Sequence, residues 1–146
     1  MGVFNRFKKN PEGLRQLVEL WEGTPLVRRQ KMIEVGMRED PKYTTLALQY
    51  MLVFDDVIKL SDLELTEVLS AAPPTLIGYA VYHSSTEVKE RFLAKVAPSL
   101  GQQIKEVLDG PPIALSLVET GQMKVVEVIR KLEKANVIAT KRIPLV

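Results

Sequence analysis

Three prolines set the frame for this chain. Asn10-Pro11, Thr24-Pro25 and Asp40-Pro41 each put a residue suited to capping a helix directly before a proline. Proline is tolerated at the first helical position, because the amide it lacks would have no partner there. The pairs recur about every fifteen residues, which leaves room only for short helices and tight connections. The pattern predicts helices over 11–22, 25–38 and 41–53. Leu14, Leu17, Val18 and Trp21 share one face of the first, at i, i+3, i+4 and i+7. Leu26, Ile33 and Met37 line the second, and Leu46 and Tyr50 the third. Three such amphipathic helices in series read as an armadillo-like stack, with a period too irregular for a true sequence repeat.

A junction follows. Met51-Leu52-Val53-Phe54 is an apolar run that meets the acidic pair Asp55-Asp56. Beyond it, Ser61 with Glu64, Ser84 with Glu87 and Ser116 with Glu119 have capping-box spacing. They predict helices near 61–71, 85–96 and 115–135. Pro74 and Pro98 start two more, near 74–82 and 98–108, and Asp109-Gly110-Pro111-Pro112 forces a turn. Val118, Val125, Ile129 and Leu132 mark the buried face of the last helix. Lys124, Arg130, Lys131 and Lys134 are placed outside, and Glu127 is spaced to pair with Lys131. Val137-Ile138-Ala139-Thr140 reads as an extended strap over this second group of helices. No sheet is expected.

Composition narrows the function. The chain has no cysteine, so disulfides, thiolate catalysis and zinc–cysteine sites are excluded. The net charge is only +2. A dense basic stripe with interleaved aromatics is absent, which argues against nucleic acid. No apolar run approaches the roughly 18–20 residues of a membrane helix, and the start lacks the apolar core of a signal peptide. Residues 1–10 read as a flexible, solvated basic terminus. The alternative is that Phe4 and Phe7, with Arg6, Lys8 and Lys9, touch an anionic membrane surface.

The search for chemistry yields surfaces rather than a reaction centre. His83 is the only histidine. It sits at a helix end, where a lone histidine acts as a charge partner of the helix terminus. Asp55, Asp56 and Asp62 are acidic enough for a cation, but their spacing matches no calcium loop, and helix N-terminal acids explain them. There is no phosphate-binding glycine loop. Catalytic, cofactor and metal residues are therefore all expected to be absent. Glu87, Lys89, Glu90, Arg91 and Lys95 give helix 85–96 a mixed-charge face, opposite a stripe of Val88, Phe92, Leu93 and Val96.

Four segments resemble one family, in its order and with near-family spacing. Arg38-Glu39-Asp40-Pro41 followed by Met51-Leu52-Val53-Phe54-Asp55-Asp56-Val57 is similar to the acidic-Asp-Pro helix start and the Met-Phe-x-Phe hinge of FliG flagellar motor switch proteins. Lys89-Glu90-Arg91-Phe92-Leu93 resembles that family's Arg/Lys-Glu-Lys-Phe-Leu segment. Gly110-Pro111-Pro112-Ile113-Ala114-Leu115 resembles its Gly-Pro-Val-Arg-Leu turn. Residues 125–133 resemble its final helix. The resemblance covers about 11–140. It implies an all-α fold: an armadillo-like helical stack over 11–53, then a small helical bundle over 54–146, wound as a right-handed superhelix. Of the family's parts, it matches the second armadillo unit and the C-terminal bundle. Parts corresponding to the N-terminal and middle domains, and the Glu-His-Pro-Gln motif for the switch protein FliM, are not matched.

The resemblance implies a non-enzymatic protein-interaction module, cytoplasmic or at the cytoplasmic face of the inner membrane. Its implied partners are a FliG-type armadillo domain, a FliM-like switch protein, or a second copy. The hinge is expected at Met51, Leu52, Val53 and Phe54. Lys89, Glu90, Lys95, Lys105 and Glu106 are candidate partner-facing residues. Leu14, Leu17, Val18, Trp21, Leu26 and Ile33 are the candidate stacking face. The charges that the family turns toward the stator depart from its pattern: Tyr82, Ser99 and Ala114 stand where it has cations, and only Glu106 remains of an acidic pair completed here by Val107. Rotor–stator steering rests on such pairs, so a stator contact is doubtful. The alternative function is a FliG-derived scaffold diverted from torque to another complex.

Overall fold

The computed structural model describes residues 2–146. Ten helices and no strand occur among them: α1 (Asn5–Lys8), α2 (Gly13–Glu22), α3 (Leu26–Glu39), α4 (Pro41–Tyr50), α5 (Phe54–Ile58), α6 (Asp62–Ala71), α7 (Pro74–Val81), α8 (Thr86–Ala94), α9 (Pro98–Asp109) and α10 (Leu115–Lys134). The fold is all-α. It divides into two compact units. Unit 1 holds the chain up to Leu52 together with Ala139–Val146, and unit 2 holds Val53–Ile138.

Unit 1 is built around α2. Leu14, Leu17, Val18 and Trp21 are fully buried there, each worth roughly 1.5–3 kcal/mol of transfer free energy. Asp40 caps α4, accepting a hydrogen bond from the Tyr43 amide at 3.2 Å, with Pro41 in the first turn. The other two proline starts are shifted. Pro25 itself is the N-cap of α3, and α2 begins at Gly13, beyond a turn in which the Asn10 side chain accepts from the Glu12 amide. Thr24, freed from capping, donates its hydroxyl to the Leu20 carbonyl in the last turn of α2.

Two parts of unit 1 depart from the sequence reading. Phe4 and Phe7 are buried, where a solvated end was expected. The Phe4 ring sits edge-on to Trp21, with centroids 6.1 Å apart, and 5.3 Å from Tyr43. Both rings gain more by joining that cluster than by meeting water, while the exposed cations Arg6, Lys8 and Lys9 stay outside. The second departure is α3. Its stripe of Leu26, Ile33 and Met37 is not the buried side: Leu26 is 53% exposed, Met37 44%, and Ile33 half-buried. Arg29 and Gly36 face inward instead. The Arg29 guanidinium donates to the Trp21 and Glu22 carbonyls at 2.7 and 3.1 Å, closing the end of α2. Gly36 admits the Phe4 ring, which would stand 2.8 Å from a β-carbon there.

Unit 2 is a six-helix unit, α5 to α10. α7 is its hub, packing most extensively on α10 and then on α9. Ile77, Ala80 and Val81 of α7 and Val118, Val125 and Ile129 of α10 are buried. Gly121 permits this crossing: a β-carbon there would stand 2.8 Å from the Ala80 nitrogen and the Leu76 carbonyl oxygen. Gln122 donates to the Ala80 carbonyl at 3.1 Å beside it.

The caps of unit 2 follow the sequence only in part. Ser61 caps α6, accepting from the Glu64 amide and bonding its carboxylate. At α8 the cap is Ser85, accepting from the Val88 amide, one residue later than the Ser84–Glu87 spacing indicated. Ser116 lies inside the first turn of α10, behind an Ala114 N-cap. Arg130, placed outside by periodicity, is only 2% exposed and pairs with the equally buried Glu133 at 3.2 Å. The charge is admitted to the interior because its partner comes one turn later on the same helix. Glu127 does pair with Lys131, at 3.6 Å, and with Lys124. Of the expected strap, Val137 and Ile138 fall in unit 2, whereas Ala139 and Thr140 begin the last eight residues, which belong to unit 1.

Candidate interaction surfaces

The junction residues split between the two units. Leu52 is buried in unit 1, where its amide donates to the Glu22 carboxylate at 2.8 Å. Met51 is half-buried, and its carbonyl accepts from the Lys141 ammonium at 3.1 Å. Val53 is exposed, and its amide donates to Asp56 at 2.8 Å, starting α5. Phe54 is half-buried with its ring 6.2 Å from Phe92. Met51 and Val53 both have extended backbone. The apolar run is thus a short extended connection anchored on either side.

The partner-facing candidates lie on or beside two helices, α8 and α9. Lys89 and Glu90 lie on α8, half-buried and exposed respectively, and Lys105 and Glu106 are exposed on α9. Lys95 is half-buried and pairs with Asp62 at 3.3 Å. Asp62 also holds Arg91 at 3.0 Å, and Arg91 donates to the Ile58 and Leu60 carbonyls at 2.7 and 2.6 Å. The Arg91 and Lys95 hydrogen bonds keep the Asp62 carboxyl below the usual carboxylate range. Lys95 is therefore part of an internal clamp between α8 and the α5–α6 corner. Sequence periodicity missed this clamp, because its acceptors are backbone carbonyls some thirty positions away.

The stacking candidates are likewise divided. Leu14, Leu17, Val18 and Trp21 are consumed by the core of their own unit. Ile33 is half-buried against the same core, and Leu26 remains at the surface, joined on α3 by Val27, 69% exposed, and Met37. In unit 2 the large exposed apolar side chains are Val53, Leu63, Leu115, Leu117 and Val137.

The arrangement offers little to catalysis. An open recess of about 530 Å³ in unit 2 is lined by Phe54, Asp55, Ile58, His83, Ser85 and Gln122, among others. Ser85 is engaged as a helix cap, and exposed His83 lies edge-on to Tyr82. Asp56 caps the Val53 amide and Asp62 is held by two cations, so the acidic residues do not converge. No metal-holding group of His, Asp or Glu occurs among the described residues. No helix among them is long and apolar enough to cross a membrane.

Comparison with known proteins decides the family. The model of the FliG C-terminal domain matches residues 37–139. This chain belongs to the FliG C-terminal domain family. FliG of Thermotoga maritima is 25% identical over 142 residues, covering 97% of this chain and 42% of the relative. FliG of Helicobacter pylori is 22% identical over 135 residues, covering 92% of this chain and 39% of the relative. The chain thus spans about two fifths of the length of these relatives. A crystal structure of a Helicobacter pylori FliG fragment is similar in fold, with a TM-score of 0.65 at 21% identity, covering 87% of this chain and 60% of that one. Full-length FliG of Aquifex aeolicus gives 0.54 at 25% identity, covering 84% and 39%.

The departures from the FliG charge pattern have definite places. Ser99 and Ala114 are exposed, at the starts of α9 and α10, and Tyr82 is half-buried beyond α7. Val107 sits where a second acid would complete the pattern. It packs on Gly78, whose β-carbon would meet the valine side chain at 2.8 Å. An ionised carboxylate there would lie half-buried against α7 and lose part of its hydration.

Proposed function

We propose that this chain is a protein-interaction module of the flagellar motor switch, acting by docking rather than by catalysis. The observation that carries this reading is the family match, which spans all of unit 2 and part of unit 1. The all-α architecture, similar in fold to solved FliG structures, supports it. The partner is a switch protein of the FliG or FliM type, or a second copy, and the site of action is the cytoplasmic face of the inner membrane.

Three surfaces serve this function. The Met51–Phe54 connection is the hinge. The exposed side chains Leu26, Val27 and Met37 on α3, with half-buried Ile33 beside them, are the stacking face. Lys89, Glu90, Lys105 and Glu106 form the charged contacts. Stator contact is not part of the proposal, since Tyr82, Ser99 and Ala114 are neutral. The test is affinity capture from the native host with the full chain, paired with a swimming assay of a deletion strain. Co-purification of FliG or FliM that is lost in a Leu26→Asp, Met37→Asp variant is the expected result. Normal motility with no switch protein captured would refute the reading.

A further inference from the structure

Two helices, one in each unit, present open sides of opposite charge. On α3, in unit 1, Val27 is 69% exposed, and Lys31, one turn on, is exposed with it. Arg28 and Arg38 are also exposed there, against Glu34 and Glu39. On α6, in unit 2, Leu63 is 83% exposed, and exposed Glu67 follows one turn on. α6 contains acids and no cation. Asp62 is held by Arg91 and Lys95, and Glu64 by Ser61, which leaves Glu67 as the acid that faces out.

The two open sides match in register. Each has an apolar residue followed at i+4 by a charge. Helices laid side by side in the same direction bring Val27 to Leu63 and put Lys31 within reach of Glu67. One turn further, Glu34, the acid that interrupts the basic side of α3, comes to neutral Ser70 rather than to a carboxylate. Arg38 falls at the carboxyl end of α6, where the helix dipole is negative. The opposite direction would set a charge against an apolar residue at both positions. The units as wholes agree: eleven cations against six acids give unit 1 +5, and nine against twelve give unit 2 −3. Such a balance draws unlike units together and keeps like units apart. We propose that α3 of one copy docks in parallel on α6 of a second copy, a head-to-tail contact between unit 1 of one chain and unit 2 of another. One helix on one helix is a small interface, so the association is weak, reversible and salt-sensitive. Each pair keeps one α3 and one α6 open, so growth continues unless the assembly closes. The inference rests on reading α3 as the stacking face and names what it stacks on.

The test is light scattering of the purified full chain across protein concentration at low salt, with circular dichroism confirming that each variant is folded. The mean mass of the wild type is expected to rise with concentration. Leu63→Ser is expected to weaken association about tenfold. Lys31→Glu and Glu67→Lys should each weaken it about threefold to tenfold. The chain carrying both should recover it to within about twofold, because the pair is restored with its signs exchanged. Glu87→Lys makes the same charge change at an exposed position on α8 and should have little effect. A wild-type mass that stays that of a monomer overturns the proposal. So does indifference to Glu67→Lys, an equal loss from Glu87→Lys, or a double variant that recovers nothing. A chain that captures FliG or FliM yet fails here loses this contact alone. One that self-associates as expected yet captures neither keeps the contact and loses the switch reading.

Discussion

Arg91 spreads its guanidinium over the corner between α5 and α6, where the Ile58 and Leu60 carbonyls point out of the helical register. Asp62, in the first turn of α6, completes the set. Replacing Arg91 with Met keeps the aliphatic stem and removes these bonds, at an expected cost of about 1–2 kcal/mol. Urea unfolding followed by helical circular dichroism checks this, and an unchanged midpoint would show that water substitutes for the guanidinium. Gly121 gives a sharper case. A valine there would drive its side chain into the α7 backbone, and an expected loss of about 1–3 kcal/mol follows from overpacking. At this scale the sequence was informative about residues that act locally, such as Ser61 and Asp40, whose partners lie three positions on. It was silent about Arg91 and Gly121, because what each touches comes from elsewhere in the chain.

Helices were read from two local signals, caps and apolar spacing, and those signals succeed where nothing else competes. α6, α7 and α9 begin within a residue of their expected starts. α1 and α5 were not anticipated, since four or five residues cannot show a helical period. The rotation of α3 was missed for another reason: Arg29 gains more by closing α2 than by facing water, and this turns Leu26 and Met37 outward while Ile33 stays half-buried against the core. Helix-start acids carry a pH prediction. Asp40 is held down by the Lys8 ion pair and the Tyr43 amide, and Asp62 by Arg91 and Lys95. Both carboxyls titrate lower in the folded chain than in the unfolded one. Their contribution is therefore complete above the unfolded value of about 3.9 and is lost as pH falls through the folded values. Thermal midpoints are expected to hold steady down to about pH 5 and to drop below about pH 4. Asp62→Asn should flatten part of that drop, and an acid limb identical to that of the wild type would remove Asp62 from the explanation.

Charge and topology become legible only when the whole molecule is divided as its contacts divide it. Unit 1 carries eleven Lys and Arg against six Asp and Glu, and unit 2 carries nine against twelve. A net charge of +2 averages these opposite balances, so any long-range steering acts with opposite sign on the two units. The tail is hidden in the same way. Read along the chain, Ala139–Val146 follows a helix of unit 2, and nothing local says that Ile143 will join Phe4, Leu14 and Trp21. Unit 1 is therefore closed by contacts between its first and last segments, which makes its stability sensitive to a residue far from its helices. Ile143→Ala removes a side chain that is 6% exposed, and is expected to destabilise unit 1 by about 2–4 kcal/mol. Trp21 emission in a urea titration reads this directly, because the single tryptophan lies in the same cluster. The matched control is Leu145→Ala, three-fifths or more exposed, which should move the midpoint little. If both substitutions left the Trp21 transition where it is in the wild type, the tail would be a passenger on unit 1, and its core would close through α1, α2 and α4 alone.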